Sequence, residues 1–264
     1  MDESSDQVWA TCRAIRDKAP LVHSVTNFVS MDLMANLLLA VGASPVMAHA
    51  TEEVAELAAI AGAVNVNMGT LDSAWVESMQ AAASAARRAG TPWVFDPVGV
   101  GATAYRSGTA ANLMTFKPSV VRGNASEILA LTGGAGARGV DASHGVEQAV
   151  EAAMALAKRS GAVIAVTGAS DYVTDGVRIA RIDNGHPLLA RVTATGCALT
   201  AFVAAAVAAT GELFTATQHA IALYGIAGEL AAEGARGPGS FRVAFLDALA
   251  SLDREAVAAR LKLG

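Results

Sequence analysis

The spacing of apolar residues changes repeatedly along this chain, and the changes mark its elements. Val8, Trp9, Cys12 and Ile15 recur at helical intervals within Asp6–Lys18, and Pro20 ends that segment. Leu21–Val25 reads as a strand. Phe28–Val41 is an amphipathic helix closed by Gly42, and Ser44–Ala48 is a short strand. Thr51 caps a helix reaching Ile60, and Ala63–Met68 is a strand of buried type. A helix opens at Asp72-Ser73 and runs to Ala89, with Gly90 as its C′ residue. Trp93–Val98 is the next strand, and a helix lies within Gly108–Phe116. Val120–Gly123 is extended, and Asn124 caps a helix over Ala125–Leu131. Gly133–Gly145, with five glycines and few apolar residues, reads as an exposed, mobile loop. The helix Val146–Ser160 leads into the strand Ala162–Val166. Tyr172–Thr174 and Val177–Ile182 flank Asp175-Gly176, the signal of a type I′ hairpin turn. Three helices follow: Ala198–Ala209, Phe214–Glu233 and roughly Phe241–Leu252.

This alternation of strands and helices predicts an α/β fold with a mainly parallel central sheet and helices on both faces. No internal repeat or linker divides the chain, so residues 1–264 are expected to form a single domain. Ligands of such sheets bind beyond the carboxyl ends of the strands.

Composition narrows the function classes. Hydrophobic residues make up 53% and charged residues 16%, and much of the excess is alanine, which suits tightly packed helices. The wholly apolar run Phe202–Ala209 falls well short of the ~20 residues of a membrane span. Met1–Asp6 is acidic and polar, unlike the start of a signal peptide, so a cytoplasmic protein is expected. The net charge of -5 argues against a nucleic-acid partner. Two cysteines, Cys12 and Cys197, are too few for a disulfide framework or a four-cysteine metal site. The low charge and high apolar content point to an oligomer.

The chemistry centres on Val192–Ala201. A short polar turn containing Gly196 runs straight into an apolar helix. Such a junction aims free backbone N–H groups at one point, with the positive end of the helix dipole behind them, and so suits a phosphate or a developing oxyanion. Cys197 lies in the first turn, where the dipole is expected to favour its thiolate. The plain alternative is an ordinary helix start with a small residue beside it.

Other polar groups fall at strand ends: Met47-Ala48-His49, Asn65 to Thr70, Asp96, Arg122-Gly123-Asn124 with Glu127 one turn on, and Thr167-Gly168. Asp96 and Glu127 are carboxylates of the kind that share Mg²⁺ with substrate phosphates. The alternatives are an Asp that holds a turn and a Glu on a solvated helix face. Arg122 offers a guanidinium fork for phosphate, or a salt bridge. Thr167 offers a hydroxyl to a nucleotide phosphate, or simply ends a strand. His23 sits in an apolar strand as core histidines do. Met31, Met34 and Met47 form a soft apolar pocket or fill the core. No Gly-x-x-x-x-Gly-Lys-Ser/Thr loop, no Gly-x-Gly-x-x-Gly after the first strand and no Gly-x-Ser-x-Gly elbow occurs.

Seven segments in order carry a resemblance: Val22-His23-Ser24-Val25-Thr26-Asn27, Gly42-Ala43-Ser44-Pro45-Val46-Met47, Phe95-Asp96-Pro97-Val98-Gly99, Arg122-Gly123-Asn124-Ala125-Ser126-Glu127, Val166-Thr167-Gly168, Asp171-Tyr172-Val173-Thr174-Asp175-Gly176 and Thr195-Gly196-Cys197-Ala198-Leu199. From Pro20 to Leu249 the chain resembles the hydroxyethylthiazole kinases, thiamine-salvage enzymes of the ribokinase-like superfamily. The resemblance implies phosphoryl transfer from ATP, with Mg²⁺, to the primary alcohol of 4-methyl-5-(2-hydroxyethyl)thiazole. It implies that Met47, Asn27 and Ala194 meet the substrate, that Arg122 and Thr167 meet ATP, and that Asp96 and Glu127 lie near Mg²⁺. It places Cys197 where related enzymes carry an aspartate that takes the alcohol proton, beside the anion turn at Gly196. It also implies a homotrimer with the thiazole between subunits. The family usually has Gly where this chain has Ala194, and a methyl there is expected to narrow the pocket or forbid a positive φ. A hydroxymethylpyrimidine or sugar kinase, a dehydratase of damaged nicotinamide cofactors and a non-catalytic binder remain as alternatives.

Overall fold

The computed structural model describes residues 3–133 and 142–264. Among them, eight strands form one sheet in the order β2-β1-β3-β4-β5-β6-β7-β8. The strands are β1 (Leu21–Val25), β2 (Ser44–Val46), β3 (Ala63–Asn67), β4 (Trp93–Asp96), β5 (Val120–Asn124), β6 (Val163–Thr167), β7 (Asp171–Thr174) and β8 (Ile179–Ile182). Neighbours from β2 to β6 are parallel, whereas β7 and β8 add an antiparallel edge.

Two cores cover the two faces. One packs Val64, Val66, Trp93, Phe95, Val121 and Ile164 against α3 (Val54–Ile60), α4 (Ser73–Ala89), α5 (Ala104–Met114), α6 (Ala125–Leu131) and α7 (Ala142–Ser160). The other packs Val22, Ala63, Val94, Val120 and Val163 against α1 (Glu3–Lys18), α2 (Met31–Ala40), α8 (Thr195–Thr210), α9 (Leu213–Gly234) and α10 (Pro238–Ser251). Helix α8 is apolar all round and alanine-rich, as a helix enclosed by its neighbours must be. It packs on β1, β3 and β4 below and on α1, α2 and α9 around it.

Local signals set several boundaries. Asp72 caps α4 by accepting the Trp75 N–H at 2.9 Å, and Gly90 closes it at φ 74°. Asn124 and Glu127 form a reciprocal capping box on α6. Elsewhere the structure departs from the sequence pattern. Helix α5 begins earlier than Gly108, because Thr103 caps it through the Arg106 N–H. Helix α3 starts at Val54 with Glu53, not Thr51, at its N-cap. The Asp175-Gly176 turn is wider than two residues: Asp175 Oδ1 accepts from both Val177 N and Arg178 N, and β8 resumes only at Ile179. Residues 142–145 of the expected Gly133–Gly145 loop belong to α7, and 134–141 lie outside the described residues. A 3₁₀ turn at Pro187–Arg191 and the helix α11 (Arg254–Arg260) carry no clear periodicity in sequence.

Candidate active site

Strand alternation builds the site. Successive side chains of a strand point to opposite faces. Two or four residues beyond the core positions Ala63, Val94, Val120 and Val163 come Asn67, Asp96, Arg122 and Thr167, all on the face that carries α8, at the carboxyl ends of the strands. The N-terminus of α8 faces this polar row. Four of the residues singled out in sequence, Asp96, Arg122, Thr167 and Gly196, therefore meet through topology alone.

The turn before α8 is held in an unusual conformation. Ala194, its N-cap, has φ 70° and ψ 0°, a left-handed geometry that costs an L-residue about 1–2 kcal/mol. The methyl does not forbid the positive φ, contrary to expectation. No side chain caps this helix. Ala198 N is bonded to Ala194 O at 2.9 Å, so the N–H groups of Thr195, Gly196 and Cys197 precede the helical ladder and are left for an anion.

Arg122 stands against this turn. A Cβ on Gly196 would lie 3.0 Å from Nη1 and 3.2 Å from Nη2, so the absence of a side chain admits the guanidinium. Nη2 donates to Thr167 Oγ1 at 2.5 Å, and Nη1 lies 3.9 Å from Asp96 Oδ2. Nε is buried without a hydrogen-bond partner among the described residues.

Asp96 is buried, at 1% exposure. Its Oδ2 accepts from Asn67 Nδ2 at 2.7 Å and from Thr200 Oγ1 at 2.9 Å. Burial pushes its pKa up to about 6; Arg122 opposes the rise and Glu127 adds to it. Oδ1 has no partner among the described residues, which leaves a carboxylate oxygen of the kind a hard cation takes. Glu127 differs. It is buried rather than solvated, and its two oxygens accept backbone N–H groups of Gly99 and Asn124, each at 2.9 Å. It fixes the loop after β4 to the start of α6 while adding negative charge beside Asp96.

Hydrogen bonds extend from Asp96 to the thiol. Asn67 Oδ1 accepts from Asn27 Nδ2 at 2.6 Å and from Gly69 N at 3.0 Å. Asn27 Oδ1 accepts from Val29 N and Ser30 N, which fixes its amide so that Nδ2 faces Asn67 and lies 3.5 Å from Cys197 Sγ. The thiol is not the activated group that its helix position suggested. Burial pushes its pKa up to about 11 and the Asp96 charge adds to this, while the amides and Arg122 only partly offset them.

Met47 is half-buried beyond β2 and packs against the core under α8. His23 is fully buried, and its Nε2 meets Ala48 O at 2.8 Å, which ties down the same strand end. Met34 lies in the core under Asn65, with Nδ2 3.3 Å from Sδ. His49 stacks on Trp75 at 4.0 Å, with Phe28 on the same ring at 4.7 Å.

A cavity of about 640 Å³ opens on the far side of Arg122. Thr167, Gly168, Asp171 and Gly196 line it, as do Pro187, Leu189, Ile221 and Tyr224. Gly225 and Gly228 let α9 approach the wall at 184–190, since a Cβ on either would lie under 3.0 Å from Asn184 or Leu189. Sequence reasoning named Arg122, Thr167 and Gly196 at this cavity and placed Asn67 among the strand ends, but gave no role to Thr200, Asp171 or Tyr224. Thr200 had a usable signal, because it lies three residues beyond Cys197 on one helix face. The wall at 184–190 had none.

An open α/β sheet with an uncapped helix start facing strand-end polar groups is the architecture of the ribokinase-like small-molecule kinases. The likeness extends to pyridoxal kinase from Staphylococcus aureus, with a TM-score of 0.60 at 17% identity over 80% of this chain and 88% of that one, which shows the fold alone. A closer relation settles the family. The model of the hydroxyethylthiazole kinase family matches residues 12–255, and the chain belongs to that family. It is 57% identical over 244 residues to the hydroxyethylthiazole kinase of Cereibacter sphaeroides, covering 92% of this chain and 93% of that one. The solved hydroxyethylthiazole kinase structure from Pyrococcus horikoshii OT3 superposes with a TM-score of 0.91 at 43% identity, covering 97% and 98% of the two chains.

Proposed function

We propose that this protein transfers the γ-phosphoryl group of ATP to the primary alcohol of 4-methyl-5-(2-hydroxyethyl)thiazole, in thiamine salvage. The observation that carries this reading is the uncapped N-terminus of α8, with Arg122 on one side and Cys197 on the other, in a chain of this family. Phosphoryl transfer needs mainly positioning and charge stabilisation. The N–H groups of residues 195–197 hold the equatorial oxygens as charge builds on them. Arg122, tied by Thr167, neutralises phosphate charge from the side of the cavity. Asp96, through its open oxygen and with the charge of Glu127 beside it, would hold Mg²⁺, which would supply neutralisation of phosphate charge.

The thiazole alcohol approaches from the opposite side, between Met47, Asn27 and Ala194, with its hydroxyl toward Cys197. A thiol protonated at neutral pH accepts a hydrogen bond from the alcohol or from Asn27 and orients the alcohol, whose proton leaves to a phosphate oxygen or to water as the new P–O bond forms. Phe28 and Val29, 60% and 56% exposed beside Asn27, give a partner chain apolar surface to cover, in keeping with a homotrimer that completes the substrate site. No described helix is long and apolar enough to cross a membrane. A cytoplasmic location belongs to the reading as a thiamine-salvage enzyme. A coupled assay for ADP release tests the reading. The thiazole alcohol should support turnover and hydroxymethylpyrimidine should not; the reverse result would reassign the substrate.

A further inference from the structure

The strained residue at the head of α8 is held from two sides. Thr195, which follows Ala194, is 8% exposed, and its Oγ1 lies 2.7 Å from Leu189 O and 3.0 Å from Val192 O. Its carbonyl oxygen accepts the hydroxyl of Tyr224 on α9 at 2.6 Å. Tyr224 is itself fixed: it is 4% exposed, packs edge-on against Phe245 at 4.8 Å, and lies 6.3 Å from Phe202. Glycine adopts a left-handed conformation freely, but alanine does not. A residue in such a conformation persists only where its surroundings over-determine it. Two anchors on the next residue supply that constraint, and both Thr195 and Tyr224 border the 640 Å³ cavity.

We propose that Tyr224, acting through Thr195, is a positioning residue for phosphoryl transfer: it holds Ala194 at positive φ and so fixes the free N–H groups of α8 before the nucleotide arrives. The proposal rests on the reading of this site as a kinase centre. Its logic is particular to a chain with alanine at position 194, where the turn cannot hold its shape unaided.

Three variants test it: Tyr224→Phe, Ala194→Gly, and the two combined. The phenyl ring of Tyr224→Phe keeps the aromatic packing and removes the one hydrogen bond. We expect kcat to fall about tenfold, the worth of one hydrogen bond, with KM for the thiazole alcohol changed less than about twofold because Tyr224 lines the cavity assigned to the nucleotide. Ala194→Gly alone, at a position that also faces the substrate, sets the reference kcat and KM against which the double variant is read. The double variant should regain most of the lost kcat, since glycine needs no clamp. A merely structural tyrosine would show the same loss with and without Ala194→Gly, and that result would overturn the proposal, as would wild-type kcat in Tyr224→Phe. Should Tyr224→Phe fail to fold, Thr195→Val removes the other anchor and carries the same pair of expectations. Calorimetric binding of ATP without acceptor separates the two readings. A weakening in Tyr224→Phe that Ala194→Gly reverses supports the clamp even if the thiazole alcohol is not the acceptor, and no weakening together with unchanged kcat refutes it.

Discussion

Gly196 lies against the guanidinium of Arg122, close enough that a Cβ there would come within 3.0 Å of Nη1. The backbone of Gly196 is helical, so a methyl group would suit the helix while displacing the arginine. Ala is favoured over Gly in helices by about 1 kcal/mol. Gly196→Ala should therefore leave the melting temperature unchanged or slightly raised, while kcat/KM for ATP falls on the order of tenfold to a hundredfold through misplacement of Arg122. Thermal unfolding and ATP kinetics on one preparation check both halves. A variant with normal ATP kinetics would mean that Arg122 moves aside at little cost.

Cys197 carries a second prediction. With its pKa pushed up to about 11 by burial, the resting group is a thiol and a poor base for an alcohol. Cys197→Ala should lose activity by no more than the ~10²–10⁴-fold expected of a general base, leaving the anion turn to supply the rest. Cys197→Asp should remain active, because a carboxylate at this point receives the Asn27 N–H that the sulfur now faces. An inactive but folded aspartate variant with normal ATP binding would refute that.

How much of this was legible in sequence follows from where the signals lie. Buried parallel strands such as Trp93–Asp96 read clearly, because both faces are apolar up to the polar end and the run stands out. The carboxyl ends of β3 to β6 were legible for the same reason, and with them Asp96, Arg122 and Thr167. What escaped depends on contacts between distant segments. The Thr195–Tyr224 bond spans 29 positions and the Thr200–Asp96 bond 104, and neither spacing has a local period. The raised pKa of Cys197 was invisible too, since a helix start favours a thiolate locally while burial among Asp96, Asn67 and Asn27 opposes it.

Asp96 should show a trade between stability and activity. Burial holds its carboxyl up near 6, so at neutral pH the fold carries an ionised group that it solvates poorly. Asp96→Asn removes that charge while keeping the shape and one acceptor oxygen for Thr200. At pH 7 the variant should be more stable by on the order of 1 kcal/mol or more, at 1.36 kcal/mol for each pKa unit relieved, and slower in kcat by ~10²-fold or more through loss of charge stabilisation at the phosphates. Chemical denaturation beside steady-state kinetics tests this. A destabilised variant would show that the ion pair with Arg122 outweighs the cost of burial.

His219 predicts a pH dependence that lies away from the catalytic groups. It is 5% exposed on α9, and its Nδ1 meets Thr11 Oγ1 of α1 at 2.8 Å. Burial lowers its pKa from 6.5 to about 4, with a small opposing pull from Glu212. The folded chain therefore binds fewer protons than the unfolded chain between those two values, and stability rises with pH across that window. The contribution is fully present above pH 6.5 and is lost as pH falls toward 4. A depression of this size corresponds to roughly 3 kcal/mol, at 1.36 kcal/mol per unit. Denaturation midpoints measured from pH 7.5 to 4.5 should fall in the wild type. His219→Gln keeps a polar group near Thr11 but cannot take up the proton, so its midpoint should fall less over the same range. Parallel curves for the two proteins would assign the acid sensitivity to other groups.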